Sequence, residues 1–218
     1  MNFSVAEENY IKAIWRLQSG DSSVSTNALS EELQTKPASV TDMLKRLTEK
    51  KLLHYEPYYG VKLNDAGRQL ALSIVRRHRL WEYFLVEKLK FEWDLVHDIA
   101  EELEHVSSAE LITRLDAFLG HPRTDPHGDP IPDPAGNMLP TSHLTLQLLG
   151  EQQTATVTGV GDQSSSLLEL LRSKQIKIGT EVQVLRRHSY DGSLELKIGP
   201  TQTTISEQLA KTIYVKTN

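Results

Sequence analysis

The chain reads as mainly α-helical with a small β domain: an N-terminal winged helix-turn-helix, a helical dimerisation domain and a C-terminal SH3-like β-barrel. Three observations predict this. The apolar spacing up to residue 50 follows three short helical periods and then alternates across a Pro–Gly turn. One long helical pattern continues from that segment without a loop, and short alternating runs dominate from residue 141 onward. The expected domains are residues 1–72, 73–140 and 141–218.

Ser4 caps the first helix, A-E-E-N-Y-I-K-A-I-W-R-L, with Tyr10, Ile14 and Leu17 inward. Glu7 and Glu8 lie in its first turn, where the helix dipole favours acids. Gly20 to Ser23 ends it. V-S-T-N-A-L-S-E-E-L (24–33) is a short second helix capped by Ser25 or Thr26, and Q-T-K-P makes a turn. A-S-V-T-D-M-L-K-R-L-T-E-K (38–50) is a third helix with Val40, Met43, Leu44 and Leu47 as its buried stripe. L-L-H-Y-E-P-Y-Y-G-V-K-L then alternates and turns between Pro57 and Gly60, as a hairpin does.

Three helices followed by a hairpin is the winged helix-turn-helix order, in which the third helix enters the major groove by its N-terminal residues. Here Pro37, Ala38, Ser39, Thr41 and Asp42 are placed at base edges, and Lys45, Arg46 and the wing residue Lys62 within reach of phosphates. A small helical domain with ordinary surface lysines is the alternative.

From Asp65 a long helix runs to Leu89, with His78 and Glu82 one turn apart. V-H-D-I-A-E-E-L-E-H-V (96–106) follows, then S-S-A-E-L-I-T-R-L-D-A-F-L (107–119), whose broad apolar face suggests self-association. The segment 120–140 holds six of the 9 prolines and is irregular. Beyond it H-L-T-L-Q-L-L, T-A-T-V-T-G-V, E-V-Q-V-L-R-R and S-L-E-L-K-I-G read as strands, interrupted by the helix S-S-S-L-L-E-L-L-R-S-K-Q.

Composition narrows the chemistry. The net charge is −5, but residues 73–140 hold the imbalance, with 7 basic against 13 acidic side chains, so a local basic face on the first domain is compatible with the total. No run approaches membrane-spanning length and the N-terminus lacks a basic region followed by an apolar one, so a cytoplasmic protein without membrane contact is expected. The absence of cysteine excludes disulfides, thiolate zinc sites and a cysteine nucleophile. Any metal must be held by nitrogen and oxygen.

In the helix at 96–106, His97, Glu101, Glu104 and His105 fall at i, i+4, i+7 and i+8, four metal-competent side chains on one face. A solvated acidic face is the other reading of the same spacing.

Five segments in register, E-E-N-Y-I-K-A-I (7–14), P-A-S-V-T-D-M (37–43), R-R-H-R-L-W-E (76–82), V-H-D-I-A-E-E-L-E-H (96–105) and D-P-H-G-D-P-I-P (125–132), resemble the diphtheria toxin repressor and manganese transport regulator family. The strand-rich tail fits its longer members, which carry an SH3-like domain. The resemblance places the shared metal site on His78, Glu101, Glu104 and His105, with Asn9 of the first helix. Iron-type members have cysteine and methionine where this chain has Glu101 and Asn9; manganese-type members have glutamate and aspartate. Glu101 therefore implies a hard, oxygen-rich site suited to Mn(II), with Fe(II) as the alternative. Two residues depart from the manganese pattern: Asn9 is a neutral amide, and Lys12 replaces a glutamate that completes a two-metal cluster in short members. The resemblance also implies an ancillary site from His78, Glu82 and His97 with tail residues, for which G-V-G-D-Q nominates Asp162 and Gln163. His121 and His127 read as structural.

The function implied is a homodimeric repressor that binds palindromic operator DNA of metal-uptake genes when metal is replete. The expected mechanism has Glu101 and Glu104 repelling each other until an ion bridges them. Two other function classes fit parts of the pattern. Glu102-Leu-Glu-His105 spells the Glu-x-x-His of carboxylate-bridged metalloenzymes, but no second copy occurs in helical context. A winged-helix repressor sensing an organic ligand leaves the histidines and glutamates unexplained.

Overall fold

In the computed structural model the described residues are 3–139 and 144–217. The expected boundary at 140–141 and His143 lie outside them. The chain divides into two compact units: Met1–His78 with Leu103–Ile112 and Pro132–Asn137, and Arg79–Glu102 with Thr113–Ile131 and Met138–Asn218.

The first unit opens with helix α1 (Val5–Leu17), begun by a full capping box in which Ser4 and Glu7 satisfy each other's backbone N–H groups. Helix α2 (Thr26–Glu32) is capped by Ser25, one of the two expected caps, and starts two residues inside the expected 24–33. Val24 instead bridges Val61 in the wing, because a strand partner there takes its backbone groups. Helix α3 (Pro37–Glu49) starts on Pro37, whose missing N–H costs nothing at a first helical position. Strands β1 (Leu53–Glu56) and β2 (Gly60–Leu63) form the wing, with Leu53 opposite Leu63. Tyr10, Ile11 and Ile14 of α1, Leu29 of α2, Val40, Leu44 and Leu47 of α3, and Val61 form one core. Each large aliphatic side chain buried there contributes roughly 1.5–3 kcal/mol.

Helix α4 (Asp65–Glu87) begins where Asn64 accepts from Gly67 N–H and donates to the Lys51 carbonyl. Gly67 allows that start to press against the preceding chain: a Cβ there would lie 2.0 Å from the Leu52 carbonyl oxygen. Gly67→Ala is therefore expected to lower stability by about 1–3 kcal/mol, overpacking outweighing the helix propensity gained. Urea titration checks this, and a stabilised variant would show that the contact is relieved at no cost.

The second unit contains most of helix α5 (Val96–Leu103) and of helix α6 (Ala109–Phe118), and the β domain. Strand β3 (Leu144–Thr145) leads into a 3-10 turn at Leu146–Leu148, where a longer strand was expected. Then follow β4 (Thr154–Val160), α7 (Ser165–Ser173), β5 (Glu181–Arg187), β6 (Leu194–Ile198), β7 (Thr201–Ile205), α8 (Glu207–Thr212) and β8 (Ile213–Thr217). The antiparallel sheet runs β3-β8-β4-β5-β6-β7, an SH3-like arrangement whose end strands are not paired into a closed barrel among the described residues. Bulges in β4 and β5 supply its bending. Its core includes Val157, Leu168, Leu171, Val184, Leu196 and Trp93. No helix among the described residues is long and apolar enough to cross a membrane.

Candidate functional site

Each unit holds one buried cluster of metal-competent side chains. In the first unit, α1 presents Glu8, Asn9 and Lys12, α4 presents Arg77 and His78, and the chain just after α5 presents Glu104 and His105. Glu104 is fully buried. Its Oε2 lies 2.7 Å from His78 Nδ1 and 2.5 Å from Lys12 Nζ. Arg77 Nε donates to the Glu104 backbone carbonyl at 2.5 Å, anchoring the residue independently of its side chain. His105 Nδ1 lies 2.6 Å from Glu8 Oε2, and Arg77 Nη2 holds the other Glu8 oxygen at 2.8 Å.

That last chain sets the histidine's tautomer. Nδ1–H donated to Glu8 leaves the Nε2 lone pair facing Glu104 Oε1 at 3.9 Å, two electron-rich atoms toward each other. Glu104 Oε1 and Asn9 Oδ1 are both buried with no hydrogen bond. Buried acceptors left this way are costly, and a hard cation satisfies an imidazole nitrogen, a carboxylate and an amide oxygen together. The residues fit a divalent ion with oxygen and nitrogen ligands. Glu104 does not stand as an uncompensated charge: Lys12 neutralises it, so the expected repulsion with Glu101 is not what governs this carboxylate.

In the second unit, Glu82 of α4, Asp125 and His127 are all buried and each offers a ligand atom within 4.8 Å of the others. His127 Nε2 is 2.8 Å from the Trp93 carbonyl, which can only accept, so that nitrogen carries the proton. Its ring stacks on Trp93 with centroids 5.8 Å apart. Nδ1 then faces Glu82 Oε1 at 3.7 Å, an arrangement that calls for a proton or a metal ion between them. Burial lowers His127, but the neighbouring Glu82 carboxylate outweighs it and the net shift is upward. Burial, then the charges of Glu82 and Asp129, push Asp125 up to about 7.

Local structure aims these groups. Asp125 Oδ1 accepts from the N–H groups of His127 and Asp129, and Val160 N–H donates to the His127 carbonyl, which fastens the proline-rich segment to β4. Gly128, at φ +92°, makes the approach possible: a Cβ there would meet the Thr158 carbonyl at 2.1 Å. Arg79 binds Asp129 Oδ2 at 2.7 Å and stands 3.5 Å from Asp125 Oδ2.

The remaining expected residues are distributed as follows. His97 Nδ1 is 3.4 Å from Glu82 Oε1, and its Nε2 is 3.6 Å from Glu101 Oε1; Glu101 is half-buried. Gln163 donates to Asp129 Oδ2, and exposed Asp162 accepts from Ser164 ahead of α7, so their described bonds do not run to Glu82. On α3, Pro37, Ala38, Ser39, Asp42, Lys45 and Arg46 are exposed, while Thr41 and the wing residue Lys62 are half-buried. Lys45 and Asp42 stand 3.9 Å apart.

Glu8, Asp125 and His127 were not among the ligand candidates. Glu8 was legible, since it lies one turn before Ile11 on the buried face of α1. His127 and Asp125 were not, because no helical or strand period marks an irregular proline-rich segment.

Comparison with known proteins agrees with this organisation. Residues 2–61 match the iron-dependent repressor N-terminal DNA-binding domain, 64–133 the iron-dependent repressor metal-binding and dimerisation domain, and 144–217 the FeoA domain. The iron-dependent repressor IdeR of Mycobacterium tuberculosis is 32% identical over 125 residues, 57% of this chain and 54% of that protein, so the match spans about half of this relative's length. The diphtheria toxin repressor of Corynebacterium glutamicum is 27% identical over 221 residues, covering 96% of this chain and 95% of that one. The solved structure of a manganese-dependent transcriptional repressor in complex with manganese is 34% identical, covers 97% of this chain and 100% of its own, and superimposes with a TM-score of 0.82. With both clusters built from oxygen and nitrogen donors and the similarity running the length of the chain, this protein belongs to the diphtheria toxin repressor and manganese transport regulator family of metal-dependent, DNA-binding transcriptional repressors.

Proposed function

We propose that this chain is a homodimeric repressor that binds palindromic operator DNA of metal-uptake genes when Mn(II) is replete. One observation carries the reading: His105, oriented by Glu8, faces the unsatisfied buried oxygen of Glu104 beside the helix that opens the DNA-binding unit. An ion held there supplies charge and a link between α1 and the Glu104–His105 segment. Asn9, Glu104 and His105 would hold it, with His78 on the Glu104 side. Because α1 shares a core with α3, fixing α1 against α4 fixes the exposed start of α3 relative to α4. Two copies would then present recognition helices at the spacing of operator half-sites. Exposed Leu95 and Phe118 supply apolar surface suited to pairing two copies.

The second cluster, Glu82, Asp125 and His127 with His97, supports a second ion site. Mn(II) rather than Fe(II) is favoured by a ligand set of oxygen and nitrogen without sulfur and by 34% identity across nearly the whole chain to the manganese-dependent repressor. Operator binding titrated anaerobically with Mn(II) and Fe(II) tests this. Mn(II) should tighten operator binding by roughly 5–150-fold, the usual range of allosteric coupling. Equal affinity with and without metal would sink the proposal, and a response to Fe(II) alone would transfer it to iron.

A further inference from the structure

Lys12 is out of place beside a divalent-cation site, since a fixed positive charge repels an arriving ion. Its Nζ nevertheless lies 2.5 Å from Glu104 Oε2, itself a good metal ligand, and 3.3 Å from His78 Nδ1. A carboxylate with no exposure needs a cation in contact, and Lys12, 15% exposed, provides one from the turn of α1 after Asn9. Ion pairs hold both carboxylates of the cluster: Glu8 with Arg77, and Glu104 with Lys12. What remains for an ion is the other side of the same carboxylate, Oε1, together with Asn9 Oδ1 and His105 Nε2.

Resting on the metal-responsive reading above, we propose that Lys12 is a built-in competitor for the divalent ion. The ammonium holds Glu104 Oε2, to which His78 Nδ1–H also donates, and an ion can draw on that oxygen only by displacing it. The consequence is a centre that stays neutral and ordered at low metal and fills only at a raised metal concentration. Lys12 is here a positioning residue and not a ligand.

The test is Mn(II) binding to the full chain, followed by electron paramagnetic resonance, in the wild type, Lys12→Met and Lys12→Arg. The same three are compared in a His127→Ala background, so that the second cluster does not contribute. Lys12→Met should bind Mn(II) about tenfold more tightly or better. It should also melt at a lower temperature in chelator and regain that loss when Mn(II) is added. Lys12→Arg keeps the charge and should stay within about twofold of wild type. Unchanged or weaker Mn(II) binding by Lys12→Met overturns the proposal. A wild type that takes up no Mn(II) in the His127→Ala background instead overturns the metal-responsive reading itself. Should Lys12→Met fail to fold, wild-type protein labelled with nitrogen-15 lysine answers the same question. Diamagnetic Zn(II) should shift the ammonium signal that is missing from the Lys12→Arg spectrum, and a signal unmoved at saturation overturns the proposal.

Discussion

Glu104→Ala is expected to abolish metal-stimulated operator binding. The side chain is fully buried and both oxygens matter. Oε2 receives Lys12 and stands against His78, while Oε1 is the acceptor facing His105. Alanine removes a candidate ligand and the carboxylate that Lys12 contacts. The cost to folding should be moderate, about 1–3 kcal/mol. Lys12 is partly exposed and can turn to water, and the Arg77 bond to the Glu104 backbone carbonyl survives. Fluorescence anisotropy on operator DNA, with and without Mn(II), checks the outcome. The roughly 5–150-fold stimulation should collapse while basal, metal-independent affinity is kept. Wild-type stimulation in this variant would move the sensing centre elsewhere.

His127→Ala carries the second large effect, on stability and on metal-dependent stabilisation. The imidazole is fully buried, stacks on Trp93 and is bonded to the Trp93 carbonyl. Its loss leaves that carbonyl and the facing Glu82 oxygen short of contacts and opens a cavity, together costing about 2–4 kcal/mol. Wild-type protein should gain about 2.7 kcal/mol when Mn(II) stands a hundredfold above the dissociation constant of a site. His127→Ala should lose the increment due to the second cluster and keep that of the first, which shares no residue with it. Denaturant melts in chelator and in Mn(II) measure both terms. An undiminished metal increment would show that Glu82, Asp125 and His127 form a structural network and not an ion site.

Local signals were read correctly wherever a short stretch of chain carries its own physics. The capping box of Ser4 and Glu7, proline opening α3 and the alternation of the wing are set within a few residues. Each element therefore appears within a residue or two of where its spacing puts it. The tail was less legible. T-Q-T-T-I offers little apolar alternation, and β7 and β8 become visible only once β6 and β4 lend them hydrogen-bonding partners.

Among the candidate site residues, His78, Glu104 and His105 follow from helical spacing and the resemblance to known repressors, but their electrostatics do not. Lys12 read as a mere departure from the manganese pattern. It is in fact the counter-ion of a carboxylate 92 positions away, a pairing no sequence period encodes.

By itself, then, the sequence determined the order of domains, the absence of sulfur ligands and the family, while the helix expected to carry the whole acidic and histidine stripe ends at Leu103 and leaves Glu104 and His105 on the turn that follows. Those properties depend on composition and on neighbours within one or two helical turns. Only the tertiary structure decided which atoms of that stripe are free to take an ion. Tautomers and charge balance are set by long-range contacts: Glu8 on His105, Lys12 on Glu104, the Trp93 carbonyl on His127, and a glycine that lets a proline-rich segment close on β4. Burial removes water as the alternative partner, so each of these contacts determines which electron pair is left facing inward.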